Sequence, residues 1–251
     1  MKVLALDTAT EACSVALLMD GALVSRFKEV GRGHAEQILG MVDAVLGEAG
    51  VALGMLDGIA AGVGPGAFTG VRISVSVAQG LAFGAGLPVV GVTTLEALAL
   101  QALRGGADGE RTLNGGAEPG VGAFAQAMAC LDARMGEVYW GCFSADAACG
   151  VIARGPMAVS AAPSVRVPLA GPFAGIGRGF AAYPSLRELP GVRLLPGACD
   201  ALPHARDMAR LGAIRLAAGE GVDPAGLAPV YVRDKVALTE AERAAAKAAL
   251  G

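Results

Sequence analysis

A chain of 251 residues, 54% of them hydrophobic, has room for one large domain or two modest ones with a sizeable core. Its 20 basic and 23 acidic residues leave a formal charge of −3, which speaks against a surface that grips nucleic-acid phosphates by itself. Five cysteines without a C-x-x-C pair speak against a disulfide framework and a zinc site. No apolar run reaches the ~18 residues a membrane span needs. The opening residues 1–7 offer too few apolar positions for a secretory signal, so a cytoplasmic protein is expected.

In chain order, residues 3–6 form a short apolar run that meets the polar turn Asp7-Thr8-Ala9-Thr10, and residues 12–18 form a second. Asp20-Gly21 supplies a hairpin turn before residues 23–29, because both tolerate positive φ. Three antiparallel strands are therefore expected to open the chain. Over residues 34–49 the apolar positions Ala35, Ile38, Val42, Val45, Leu46 and Ala49 have helical spacing. Leu39 and Met41 widen that stripe, so the helix needs cover on more than one side. A buried strand at 58–63 runs into the glycine-rich loop 64–70. The next segment is ambiguous, because Val71, Ile73, Val75 and Val77 alternate with Arg72, Ser74 and Ser76, and the local pattern favours a strand. Residues 88–92 read as a strand, and Thr93-x-x-Glu96 has the spacing of a capping box that starts a helix to residue 104.

Residues 105–122 carry seven glycines and little apolar periodicity, which marks a flexible connection between two halves. Beyond it, segments 124–131 and 137–143 flank the turn 132–136 as a second hairpin, and Met208, Leu211 and Leu216 place a helix at 204–219. The expected organisation is a first lobe at 1–104, a second at 123–236 and a tail at 237–251, with the helix 204–219 able to pack back on the first lobe. Strands followed by helices in each half imply two α/β lobes.

Four stretches together resemble the TsaB family, also called YeaZ. They are Leu4-Ala5-Leu6-Asp7-Thr8-Ala9-Thr10, Gly64-Pro65-Gly66-Ala67-Phe68-Thr69-Gly70-Val71-Arg72, Leu131-Asp132-Ala133-Arg134-Met135-Gly136-Glu137-Val138-Tyr139-Trp140 and Pro229-Val230-Tyr231-Val232-Arg233-Asp234-Lys235-Val236. Their order and spread make the match specific across nearly the whole chain. Ala67 stands where the family commonly has serine, and the 105–122 connection is longer than usual. The resemblance implies the two-lobed actin-like ATPase fold, each lobe a mixed sheet with helices, and it turns residues 71–85 into a helix against the local pattern. It further implies a non-catalytic subunit for the modification of adenosine 37 to threonylcarbamoyladenosine in tRNAs reading codons that begin with A. The chain would pair with the transferase TsaD, act with TsaE, reach tRNA only through the complex and leave ATP and magnesium to that complex. On its own it would form a homodimer.

Actin-like ATPases handle metal and phosphates with a carboxylate after the first strand and hydroxyls in the next turn. Asp7 and Thr10 occupy those places, with Gly64, Gly66 and Thr69 in the loop opposite; they form either a residual anion or nucleotide site or a capped turn. The loop lacks the lysine of a Walker motif, and its plainer account is a tight strand-to-helix connection with Thr69 as N-cap. The run Gly175-Ile176-Gly177-Arg178-Gly179 has its third glycine misplaced for a dinucleotide loop and reads as a turn. His34 and His204, 170 positions apart, form no H-x-x-x-H pair, so a metallopeptidase lacks its ligands. Each is expected at a helix start on the surface, His34 towards a partner. Asp132, Arg134 and Glu137 suggest a local ion pair at a hairpin turn. The charged stretch 231–235 is either a partner contact or a solvated tail. Helices 34–49 and 70–85 carry too much apolar and small-residue surface for an exterior, and together form half of an intermolecular four-helix bundle in this reading. Its interface candidates are His34, Ile38, Met41, Val42, Val75 and Gln79.

Overall fold

A computed structural model describes residues 1–105, 124–167 and 171–233. Apart from Gly105, the expected connection at 105–122 lies outside the described residues, as do the tail and the end of the charged stretch at 234 and 235.

Among the described residues, five strands form the first sheet: β1 (Lys2–Asp7), β2 (Ala12–Met19), β3 (Ala22–Glu29), β4 (Gly58–Gly62) and β5 (Val89–Val92), in the order β3-β2-β1-β4-β5. The β2–β3 hairpin turns through Asp20 and Gly21, both at positive φ, as the Asp-Gly pair leads one to expect. Strands β1, β4 and β5 run parallel. Their connections contain the helices α1 (His34–Ala49) and α2 (Phe68–Ala85). Strand alternation divides the core: Leu4 and Leu6 of β1 pack with residues of α1 and α2, while Val3 and Ala5 point the other way. A parallel sheet covered on both faces is why β1, β4 and β5 read as continuous apolar runs.

The second sheet has the order β11-β10-β6-β7-β8, from β6 (Gln126–Arg134), β7 (Glu137–Asp146), β8 (Gly150–Ala153), β10 (Phe173–Ile176) and β11 (Val192–Leu194). Strand β9 (Ala158–Ala161) also pairs with β7. The remaining helices are α3 (Thr94–Leu103), the one-turn α4 (Gly179–Ala182) and α5 (Ala205–Ala217). The arrangement is the two-lobed α/β fold of the actin-like type, with one exchange between the lobes. Helix α3, which the chain order assigns to the first half, packs on β6, β7 and β10 of the second sheet. Helix α5, from the second half, covers β1, β2, β4 and β5 of the first, and α3 and α5 touch each other. The approach of α5 to β4 is close, for a Cβ on Gly212 would stand 2.5 Å from that of Ala60.

Residues 68–85 are helical, as the resemblance implies and against the local alternation. Ser74 explains why the pattern misleads. It looks like a solvent-facing strand residue, yet in the helix it is fully buried with Val71, Val75, Ala78 and Ala82, and its hydroxyl donates to the Leu6 carbonyl at 3.2 Å. The capping box of α3 forms as read, with Thr93 and Glu96 exchanging backbone-to-side-chain hydrogen bonds.

Candidate functional site

Two parts of the first lobe compete for a functional role: the turn after β1 with the loop before α2, and the outward faces of α1 and α2.

At the turn, Asp7 is completely buried at the end of β1. One carboxylate oxygen accepts from the Ala9 amide at 3.2 Å, and the other meets no donor. Burial pushes its pKa up to about 7 against the pull of backbone amides. The surroundings are the chain's own backbone. A Cβ on Gly62 would stand 2.0 Å from Asp7 Oδ1, one on Gly66 2.1 Å from the Ala9 carbonyl oxygen, and one on Gly70 2.0 Å from that of Thr8. The Ala67 amide donates to the Ala9 carbonyl at 2.7 Å and the Thr8 hydroxyl to the Gly70 carbonyl at 2.7 Å. The glycines of this loop therefore admit the neighbouring turn. Gly64, at positive φ, lies with the strap that follows α5, where a Cβ would come within 3.1 Å of the Val230 carbonyl oxygen.

Thr10 is half-buried; its hydroxyl accepts from the Ala12 amide at 3.2 Å, and its carbonyl lies 2.9 Å from Nε2 of His34. Thr69 is exposed and is not the N-cap, because α2 begins one residue earlier and Ala67 holds the capping position without a side-chain bond. The structure thus gathers Asp7, Gly64 and Gly66 with Gly62 and Gly70 into a closed packing motif, while Thr10 and Thr69 stand at its edge. A magnesium nucleotide does not fit here: the carboxylate is sealed in. Among the described residues no group of three or more His, Cys, Asp or Glu could hold a metal ion.

The outward faces of the two helices differ from the sequence expectation residue by residue. Ile38, Val42 and Val75 are almost fully buried in the chain's own core, so these three interface candidates are corrected. They supply the apolar face that holds α1 and α2 on their sheet. Met41 is half-buried against the same core. Gln79 donates to the Leu227 carbonyl at 3.0 Å, which ties α2 to the segment after α5. His34 begins α1 and binds Thr10. What faces out instead is Leu39 (50% exposed) on α1 and Phe68 (62%) and Phe83 (83%) on α2. The same two helices also expose the small residues Gly40, Ala44, Gly47, Ser76, Gly80 and Gly84. A Cβ on Gly40, Gly47, Gly80 or Gly84 would meet nothing within 4 Å. A shallow groove lined by Ala35, Phe68, Arg72, Ile73, Ser76 and Val77 runs between the N-terminal halves of the two helices. Phe83 escaped the sequence reading, although the i, i+4, i+7 line Ser76, Gly80, Phe83 was a signal that could have found it.

His204 stands at the start of α5 as expected, but half-buried rather than fully on the surface. It caps α5 through the Arg206 amide at 3.1 Å, stacks on Phe27 at 4.9 Å and lies 3.3 Å from the Ser14 hydroxyl, while burial pushes its pKa down to about 3. At the second hairpin Arg134 pairs with Asp132 at 3.0 Å, and also with Glu11 of the first lobe at 3.1 Å. Glu137 pairs with Arg233 at 2.6 Å. The charged stretch, as far as it is described, therefore reaches the second lobe.

With this geometry in view, comparison with known proteins is specific. The family model described as "TsaD: tRNA N6-adenosine threonylcarbamoyltransferase" matches residues 28–167. The tRNA threonylcarbamoyladenosine biosynthesis protein TsaB of Escherichia coli (strain K12) is 38% identical over 241 residues, covering 94% of this chain and 96% of that protein. A protein of the same name from Haemophilus influenzae is 41% identical over 140 residues, 56% of this chain and 52% of that one. Among solved structures, YeaZ from Pseudomonas aeruginosa aligns with a TM-score of 0.79 at 41% identity, over 92% of this chain and 99% of that chain.

Proposed function

The chain belongs to the TsaB family, and from that premise we propose that it is the non-catalytic subunit of the machinery that threonylcarbamoylates tRNA, docking on its catalytic partner through the outward faces of α1 and α2. A role in tRNA threonylcarbamoylation follows from the family; the docking surface and its occupant are the proposal. The observation that carries it is the set of helix glycines with open space beside them. Glycine inside a helix costs roughly 0.5–1 kcal/mol relative to alanine. At Gly40, Gly47, Gly80 and Gly84 no contact within the described chain requires it. Small residues on a helix face, flanked by exposed Leu39 and Phe83, suit the close approach of other helices.

The occupant is TsaD. The family model that matches this chain spans both α1 and α2, so a transferase of that family has corresponding helices to set against them. In the absence of TsaD the same face pairs two copies of this chain about a twofold axis. ATP and magnesium are then used by TsaD and TsaE, and tRNA is reached through the complex, in the cytoplasm. Among the described residues no helix is long and apolar enough to cross a membrane. An ATPase or kinase acting through Asp7, and a peptidase, are not favoured: the first has its carboxylate sealed by backbone, and the second has no ligand cluster among the described residues.

Co-purification with TsaD tests the proposal. Phe83→Asp, a change at an exposed site, is expected to leave the fold intact and abolish pairing. Undiminished pairing of that variant, or a chain that stays monomeric at high concentration and does not bind TsaD, would sink the docking face.

A further inference from the structure

Among the described residues, Arg72 on this face has no counter-ion. The Arg72 guanidinium lies 3.2 Å from the centre of the Phe68 ring and 5.1 Å from that of Tyr231, whose rings are 6.0 Å apart. Its one described hydrogen bond goes to the Phe68 carbonyl at 3.4 Å, and no carboxylate among the described residues lies within ion-pair distance. Both rings are half or more exposed. Two exposed aromatics and an arginine are the side chains in which binding energy concentrates at protein interfaces. Stacking also holds the planar guanidinium in place, so little freedom remains to be lost when it pairs.

Charge is distributed unevenly over the face. The exposed charges of α1 near its N-terminal half are the acids Glu36 and Asp43, whereas Arg72 is the charged residue of α2. Where two like helix pairs face each other about a twofold axis parallel to the helices, the acidic helix of one lies against the basic helix of the other. We propose, resting on the docking reading above, that Arg72, stacked on Phe68 beside Tyr231, orients the catalytic partner by pairing with a carboxylate on that partner. The occupant is a protein of related fold with an acidic side chain opposite the start of α2. A guanidinium can grip that carboxylate with two parallel hydrogen bonds, which a lysine cannot reproduce.

The test is the Kd between this chain and purified TsaD at low and high salt, for wild type, Arg72→Gln, Arg72→Lys and Phe83→Asp. Arg72→Gln is expected to weaken pairing by about 10-fold or more at low salt and to flatten its salt dependence, with Arg72→Lys recovering only part. Phe83→Asp is expected to weaken pairing at every salt concentration. If Arg72→Gln binds with the wild-type Kd and salt slope while Phe83→Asp is impaired, the orienting role is wrong and the docking face stands. If neither change weakens pairing, both fall. Binding of tRNA by the isolated wild-type chain, lost in Arg72→Gln, would show that the cation faces phosphate and would overturn the proposal.

Discussion

Glycines on the two sides of α2 stand there for opposite reasons. On the inner side, at Gly62, Gly66 and Gly70, a methyl group would collide with the turn after β1 at 2.0 to 2.1 Å. On the outer side, at Gly80 and Gly84, it would meet nothing within 4 Å. The inner set is explained by this chain alone: it lets the loop before α2 touch the turn after β1. The outer set has no explanation among the described residues, and it lies beside the most exposed large apolar side chain of the helix, Phe83. The same residue type thus reports a contact already made in one place and a contact left for another molecule in the other.

Substitutions sharpen this contrast. The largest effect is expected from Gly70→Ala, whose Cβ would overlap a backbone carbonyl that cannot swing away. A loss of about 3 kcal/mol or more in denaturant unfolding is expected, and a neutral result would mean that the turn and loop are not locked together. Phe83→Asp comes next, with pairing to TsaD lost and the unfolding midpoint held. Asp7→Asn probes the inner side by pH. Because the folded pKa is raised from 3.8 to about 7, the proton is held more tightly by the folded state. The resulting stability is full below the unfolded value and is lost as pH rises through the folded one. Thermal melts should therefore show wild type falling as pH rises from 3.8 to about 7, and Asp7→Asn should flatten that fall. An unchanged slope would place the titration elsewhere. The smallest effect is Gly80→Ala: the isolated chain should gain up to about 1 kcal/mol from helix propensity, while its affinity for the partner drops. A gain in both would break the contrast between the two glycine sets.

Much of the fold was legible because its signals are local. The Asp20-Gly21 hairpin, the helical stripe of α1 and the capping box at Thr93 and Glu96 each depend on residues a few positions apart. The candidate site was legible only in outline. Both helices were recognised as carrying more apolar surface than one face needs, yet Ile38, Val42 and Val75 were assigned outward while Leu39, Phe68 and Phe83 face solvent. A stripe on a helix does not state which side the sheet will take when apolar residues occur on both. At α2 the alternation of β-branched residues imitated a strand, since the buried polar Ser74 finds its acceptor on Leu6, 68 positions away.

By itself the sequence determined most of the element order of the first half, the turn chemistry and, through four separated motifs, the family, while β8 to β11 and α4 went unread. Tertiary structure alone decided that α3 and α5 exchange lobes, that His204 is enclosed by Phe27 and Ser14, and that the glycines of the loop before α2 admit backbone. The physical reason is range. Propensity, capping and turns act over a few residues, whereas the burial of a face, the displacement of a carboxylate's pKa and the need for a glycine depend on what packs alongside it from distant parts of the chain.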